Sequence, residues 1–150
     1  MINTKIALYH KCEAYVNDRI ERSKADIQSA QEASNNETKS SAGDKYETAR
    51  AMAQIEKEKA LTQLSEAGKL RQALDMIIAD KPMAIAELGS LVITTAGQFY
   101  MSISAGKLML DGQVFFAISP ASPLGQQLIG KQAGEQYQIN GKQFSIKEIY

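Results

Sequence analysis

The stretch ASNNETKSSAG, Ala33–Gly43, lies between two long runs of helix-forming residues, and whether it bends the chain decides the fold. Asn35, Asn36, Ser40 and Ser41 carry short polar side chains that compete with helical backbone bonds, and Gly43 adds backbone freedom. The stretch therefore reads as a turn. Outward from it, between Thr4 and Asp80, there is no proline and the only glycines are Gly43 and Gly68, while Ala, Glu, Lys, Gln and Arg dominate. That composition favours helix on both sides. An antiparallel coiled-coil hairpin over residues 1–80, with its tip near 35–45, is the expectation.

Each arm carries one apolar stripe. In the first, Ile6, Tyr9, Val16, Ile20, Ile27 and Ala30 recur at alternating spacings of three and four, interrupted by the polar Glu13 and Ser23. In the second, Tyr46, Ala53, Ala60, Ala67 and Leu74 recur every seven residues, flanked by Ala49, Leu64, Leu70, Ile77 and Ile78. Alanines on such a seam let two helices approach closely, whereas Leu and Ile towards the other end fill a wider base. Arms of roughly 30 residues, at about 1.5 Å rise per residue, give a finger on the order of 45 Å long.

After Asp80 the pattern changes. Pro82 ends the helix, and SLVITT, QFYMSIS, QVFFAIS, EQYQIN and QFSIKEIY are rich in β-branched and aromatic residues separated by glycine-containing turns. These runs predict strands. Asn140-Gly141 is the strongest hairpin signal, because both residues tolerate the positive φ of a tight primed turn. SPLGQQLIG predicts a short helix with Ser122 as N-cap, Pro123 in its first turn and Gly130 closing it. The expected class is α+β: the hairpin, then a small antiparallel sheet domain with one short helix over 81–150.

The residues Ser122, Pro123, Leu124, Leu128, Ile129, Gly130, Lys131, Gly134 and Glu135, with the closing Ile146 and Ile149, resemble the C-terminal domain of the bacterial Gre transcript-cleavage factors. The motif spans about the last thirty residues, and the order of parts, coiled coil then FKBP-like domain, extends the resemblance along the chain. It implies a partner, bacterial RNA polymerase. The C-terminal domain would dock on the rim of the secondary channel through Ser122 and Pro123, and the coil would reach towards the active centre. There, two tip acids of the family help hold the Mg²⁺ that activates water to cut backtracked RNA.

Aligning the family's tip tyrosine on Tyr46 puts its two acidic positions at Lys39 and Ala42, and its glutamate before the tyrosine at Lys45. Asp44 and Glu47, themselves three apart, are the acids beside the turn that remain as catalytic candidates, with Asp44 the candidate metal ligand and Glu37 on the other side. Lys39 and Lys45 flank Asp44 and offset its negative potential. Asp44 and Glu47 also fit a helix N-cap and capping box without any catalysis. At the docking motif, Ala121 stands where the family usually has an acid. The expected function is thus a Gre-like regulator of elongation rather than an enzyme, with no intrinsic cofactor and Mg²⁺ only if the tip acids act in the polymerase active centre. Two other readings stay open: a true cleavage-stimulating factor, and a structural or chaperone-like module built on the coil.

Seventeen basic and seventeen acidic residues give a net charge of +0, which removes the general attraction to nucleic acid. Basic residues such as Arg19, Arg22, Lys57, Lys59 and Lys69 are interleaved with acids, as on a solvated helical face. No direct sequence-specific nucleic-acid binding is expected. The lone Cys12 excludes an internal disulfide, and His10 with Cys12 is too small a set for a zinc site. Lacking a signal peptide pattern or a membrane-spanning run, the chain reads as cytoplasmic. Phe99, Tyr100, Phe115, Phe116, Tyr137 and Phe144 alternate within strands and are expected in the sheet core.

Overall fold

The computed structural model describes residues 1–37 and 43–150, without the side chains of Glu37 and Asp44. Two long helices, α1 (Ile2–Glu37) and α2 (Gly43–Asp75), precede β1 (Leu91–Thr94), β2 (Gln98–Met101), β3 (Gly106–Leu110), β4 (Gln113–Ile118), α3 (Pro123–Leu128), β5 (Gln136–Ile139) and β6 (Lys142–Ile149). The class is α+β. By contacts the chain forms two compact units, one of residues Val16–Arg71 and one joining Met1–Tyr15 to Gln72–Tyr150.

In the first unit the two helices meet along small side chains. Val16, Ser23 and Ala30 of α1 are buried at intervals of seven, as are Ala53, Ala60 and Ala67 of α2. The second series is the expected stripe. The first keeps to the expected stripe at Val16 and Ala30, but Ile20 and Ile27 are only half-buried, and Ser23, expected as an interruption, is 4% exposed on the seam. A serine is hardly larger than an alanine, so it suits a close approach of backbones better than an isoleucine would. Lys57 reaches across, donating from Nζ to Gln31 Oε1 at 2.7 Å. Outer faces carry pairs one turn apart, Arg22 with Asp18, Gln28 with Glu32 and Gln54 with Glu58.

Both helices continue into the stretch that was expected to turn. Asn35 and Asn36 are helical, and Gln31 Nε2 donates to Asn35 Oδ1 at 3.0 Å, so that asparagine supports the helix rather than ending it. Helix α2 begins at Gly43, which places Asp44 inside its first turn. Lys39 and Ala42 lie outside the described residues.

The second unit is built on a six-stranded sheet of order β3-β4-β2-β1-β6-β5. It is mixed, not antiparallel as expected, because β2 and β4 run parallel. The chain reverses after β2 and again after β3, and β4 then inserts between them, so two reversals restore the direction of β2. Strand β3, GKLML, is not among the expected strands: an edge strand with a largely exposed pattern gives no strong alternation. Asn140 and Gly141 do take positive φ, 52° and 78°, and Ile139 faces Lys142 across the turn. The central strands β1 and β2 are buried on both faces. Val92, Phe99, Met101, Leu128, Tyr137 and Ile146 form the main cluster, each large side chain contributing about 1.5–3 kcal/mol by leaving water.

Ala60 is 2% exposed, whereas its neighbour Leu61 is 45% exposed. Ala60→Leu is expected to overpack the seam and lower stability by about 1–3 kcal/mol in chemical denaturation. Leu61→Ala should change it by less than about 0.5 kcal/mol, and equal costs would contradict the seam.

Candidate functional site

The site expected from the C-terminal motif begins at α3. Ser122 is its N-cap: the extended backbone at φ −65°, ψ 158° turns the hydroxyl inward, where it accepts from Gly125 N–H at 3.0 Å and donates to Ser119 O at 2.7 Å. Ser119 O also accepts Ser122 N–H at 3.1 Å, and Gln126 Nε2 donates to Ala121 O at 3.1 Å. The loop before the helix is thus tied to its first turn. Pro123, with its φ preset for the first helical position, and Ala121 are exposed.

Gly125 is the residue that sequence reasoning missed here. A Cβ at this position would lie 2.1 Å from Ser119 O and 2.9 Å from Pro120 Cα, so only glycine lets the loop close over the helix. A glycine inside so short a helix was the available signal. At the other end, Gly130 N–H donates to Ala86 O at 2.7 Å and Ala86 N–H to Lys131 O at 2.8 Å, fixing the exit of α3 to the segment before β1. Ser122 and Pro123 therefore sit on a turn held at both ends.

Of the acidic candidates beside the expected turn, Glu47 is the one whose side chain is described. Glu47 is exposed one turn into α2, Lys45 is exposed two residues before it, and the side chain of Asp44 is not among those described. Tyr46 is half-buried, and Arg50 Nη1 donates to its hydroxyl at 2.9 Å. Among the described residues no three His, Cys, Asp or Glu side chains gather in a way that could hold a metal ion. Glu47 by itself supplies one carboxylate, whereas Mg²⁺ takes several oxygen ligands in octahedral array.

A second cluster, not anticipated from the sequence, lies on the opposite face of β2 from Phe99 and Met101. Ser102 Oγ donates to Tyr100 O at 3.4 Å and lies 3.6 Å from Cys12 Sγ, and all three residues are buried. Burial raises the pKa of the Cys12 thiol, with the Ser102 contact opposing, which disfavours the thiolate form. Burial likewise raises that of Tyr100, helped by Cys12 and Tyr9, and among the described atoms the Tyr100 hydroxyl is buried without a hydrogen-bond partner. By contrast Tyr137, also buried, has its hydroxyl 2.8 Å from Thr94 Oγ1. Lys5 is fully buried and donates from Nζ to Lys81 O at 2.6 Å. Desolvation lowers its pKa, the charge of Lys81 lowers it further, and Asp80 acts the other way.

No family model matches the chain, and no curated protein matches it. Among the described residues no helix is long and apolar enough to cross a membrane.

Two measurements check this geometry. Gly125→Ala is expected to lower stability by about 1–3 kcal/mol through overpacking, and Ser122→Ala by about 1 kcal/mol through loss of the cap; a neutral Gly125→Ala would contradict the close approach. For Lys5, a lowered folded pKa means that the unfolded chain holds more protons just below the ordinary value of 10.5. Its contribution to stability is present above that value and is lost as pH falls through the lowered one. The stability of the native chain minus that of Lys5→Met should therefore grow from neutral pH towards 10.5; a flat difference would contradict the burial of a charged amine.

Proposed function

We propose that the chain is a Gre-like regulator of transcription that binds bacterial RNA polymerase at its secondary channel. In this reading the two helices act as an antiparallel coiled coil that enters the channel, and an FKBP-like C-terminal domain docks on the rim. The observation that carries it is the α3 turn, where Ser122 spends its hydroxyl on Ser119 and Gly125 and leaves Pro123 exposed at the head of the helix. These are the residues whose motif resembles the polymerase contact of the Gre factors. The heptad spacing of buried small residues in α1 and α2 supports the coil.

The reading is one of binding and regulation rather than cleavage. Lys39 and Ala42 stand at the two acidic positions of the resembled family, and Lys45 precedes Tyr46. An ammonium beside the remaining acids offsets the negative potential that a divalent cation needs. The chain would act in the cytoplasm on the polymerase, changing elongation, pausing or initiation by occupying the channel.

Immobilised bacterial core RNA polymerase is expected to retain the chain. Pro123→Arg, which places a charge on the exposed docking turn, and deletion of residues 35–45 should each weaken retention by roughly tenfold or more. Failure to bind, or binding indifferent to both changes, would contradict the proposal.

A further inference from the structure

We propose that the chain self-associates through the free edge of its sheet, two copies pairing β3 against β3 about a twofold axis at Met109. The edge is defined by the hairpin with β4. Asp111 and Gly112 form its two-residue turn, both at positive φ, 50° and 74°, and Leu110 faces Gln113 across it. In such a hairpin the flanking pair is hydrogen-bonded and the pairs alternate from there. Leu110, Leu108 and Gly106 therefore spend their backbone groups on β4. Lys107 and Met109 point their N–H and C=O groups away from it, off the end of the sheet.

Edges of this kind are usually guarded by shortness, by charged side chains such as lysine, by proline or by a bulge, and β3 is short and carries Lys107, a charge that a second copy can meet with Asp111. Strand β3 has no proline, and its pairing with β4 is continuous from Gly106 to Leu110; the sheet's irregularity lies elsewhere, between Ile93 and Thr94. The opposite edge, β5, has α3 packed against it. At the β3 edge, Met109 is 48% exposed and Lys107 and Asp111 are exposed on either side of it.

The spacing of these three residues selects a second copy as the occupant. With antiparallel pairing centred on Met109, the two Met109 side chains meet, and Leu108 of each copy lies opposite Leu110 of the other. Lys107 of each copy then comes level with Asp111 of the other, so both ends of the contact are charge-complementary. Centring on Lys107 instead would set two ammonium groups face to face. The net charge of +0 imposes no overall repulsion between copies. A contact of one short strand is small, and the dimer it forms is weak and concentration-dependent.

Sedimentation equilibrium of the full chain across a concentration series tests this. The average mass should rise from monomer towards dimer. Lys107→Glu and Asp111→Lys should each weaken association roughly tenfold, since each sets like charges together at both ends. An equimolar mixture of these two variants should restore it, because the heterodimer regains an opposite pair at each end. Met109→Lys, which needs no residue at positive φ, should also dissociate the dimer. A chain that stays monomeric, a dimer unaffected by these changes, or variants that do not complement each other would overturn the proposal.

Discussion

Two helices can lie close together over many turns only where both present small side chains, and this constraint governs the Val16–Arg71 unit. Ala53, Ala60 and Ala67 satisfy it on one side, and Ser23 and Ala30 on the other. Because the seam uses one residue in seven so sparingly, the remaining positions are free to carry charge, and they do so as local pairs such as Asp18 with Arg22. The small seam also leaves a groove of about 400 Å³ beside Asp26, Ala30, Ala53, Glu56 and Lys59, with both signs of charge along it.

The sheet unit is organised by a different economy. Its middle strands are apolar on both faces, with Phe99 and Met101 on one and Tyr100 on the other. Polar groups drawn into this interior are mostly satisfied: Thr94 takes the Tyr137 hydroxyl, and Lys81 O takes the Lys5 amine. A buried amine costs desolvation, and one that is hydrogen-bonded costs much less than one that is not. The helix α3 adds little area but much order, since its cap, its glycine and the backbone bonds at its exit all fix one short turn. Under the proposed reading that order matters, because a docking turn held in place loses less entropy on binding.

What the sequence made legible follows the strength of each local signal. The alanines at intervals of seven, the Asn140-Gly141 turn and the Ser122-Pro123 helix start each combine spacing with a residue type suited to one geometry, and all three are found. On α1 the seam takes Val16 and Ala30 from the expected stripe and Ser23 in preference to Ile20 and Ile27, because hydrophobicity favours isoleucine whereas close packing selects for size. Strand β3 was passed over because an edge strand lacks the alternation that burial imposes. The parallel pairing of β2 with β4 depends on which strand inserts where, and no local residue states that. At the candidate site, the cap was readable from Ser122 and Pro123, but the need for Gly125 arises from the loop folding back upon it. The buried grouping of Cys12, Tyr100 and Ser102 joins residues about ninety apart in sequence and had no local signal at all.

In the proposed mode of action the start of α2, at Gly43, approaches the polymerase active centre. A photo-cross-linking residue at the exposed position 45, in the full chain bound to core RNA polymerase, tests it most directly. Cross-links from position 45 to the catalytic subunit near its active centre, with none there from position 147 of β6, are the expected result. Cross-links near the active centre from position 147 alone, or from neither position, would contradict it.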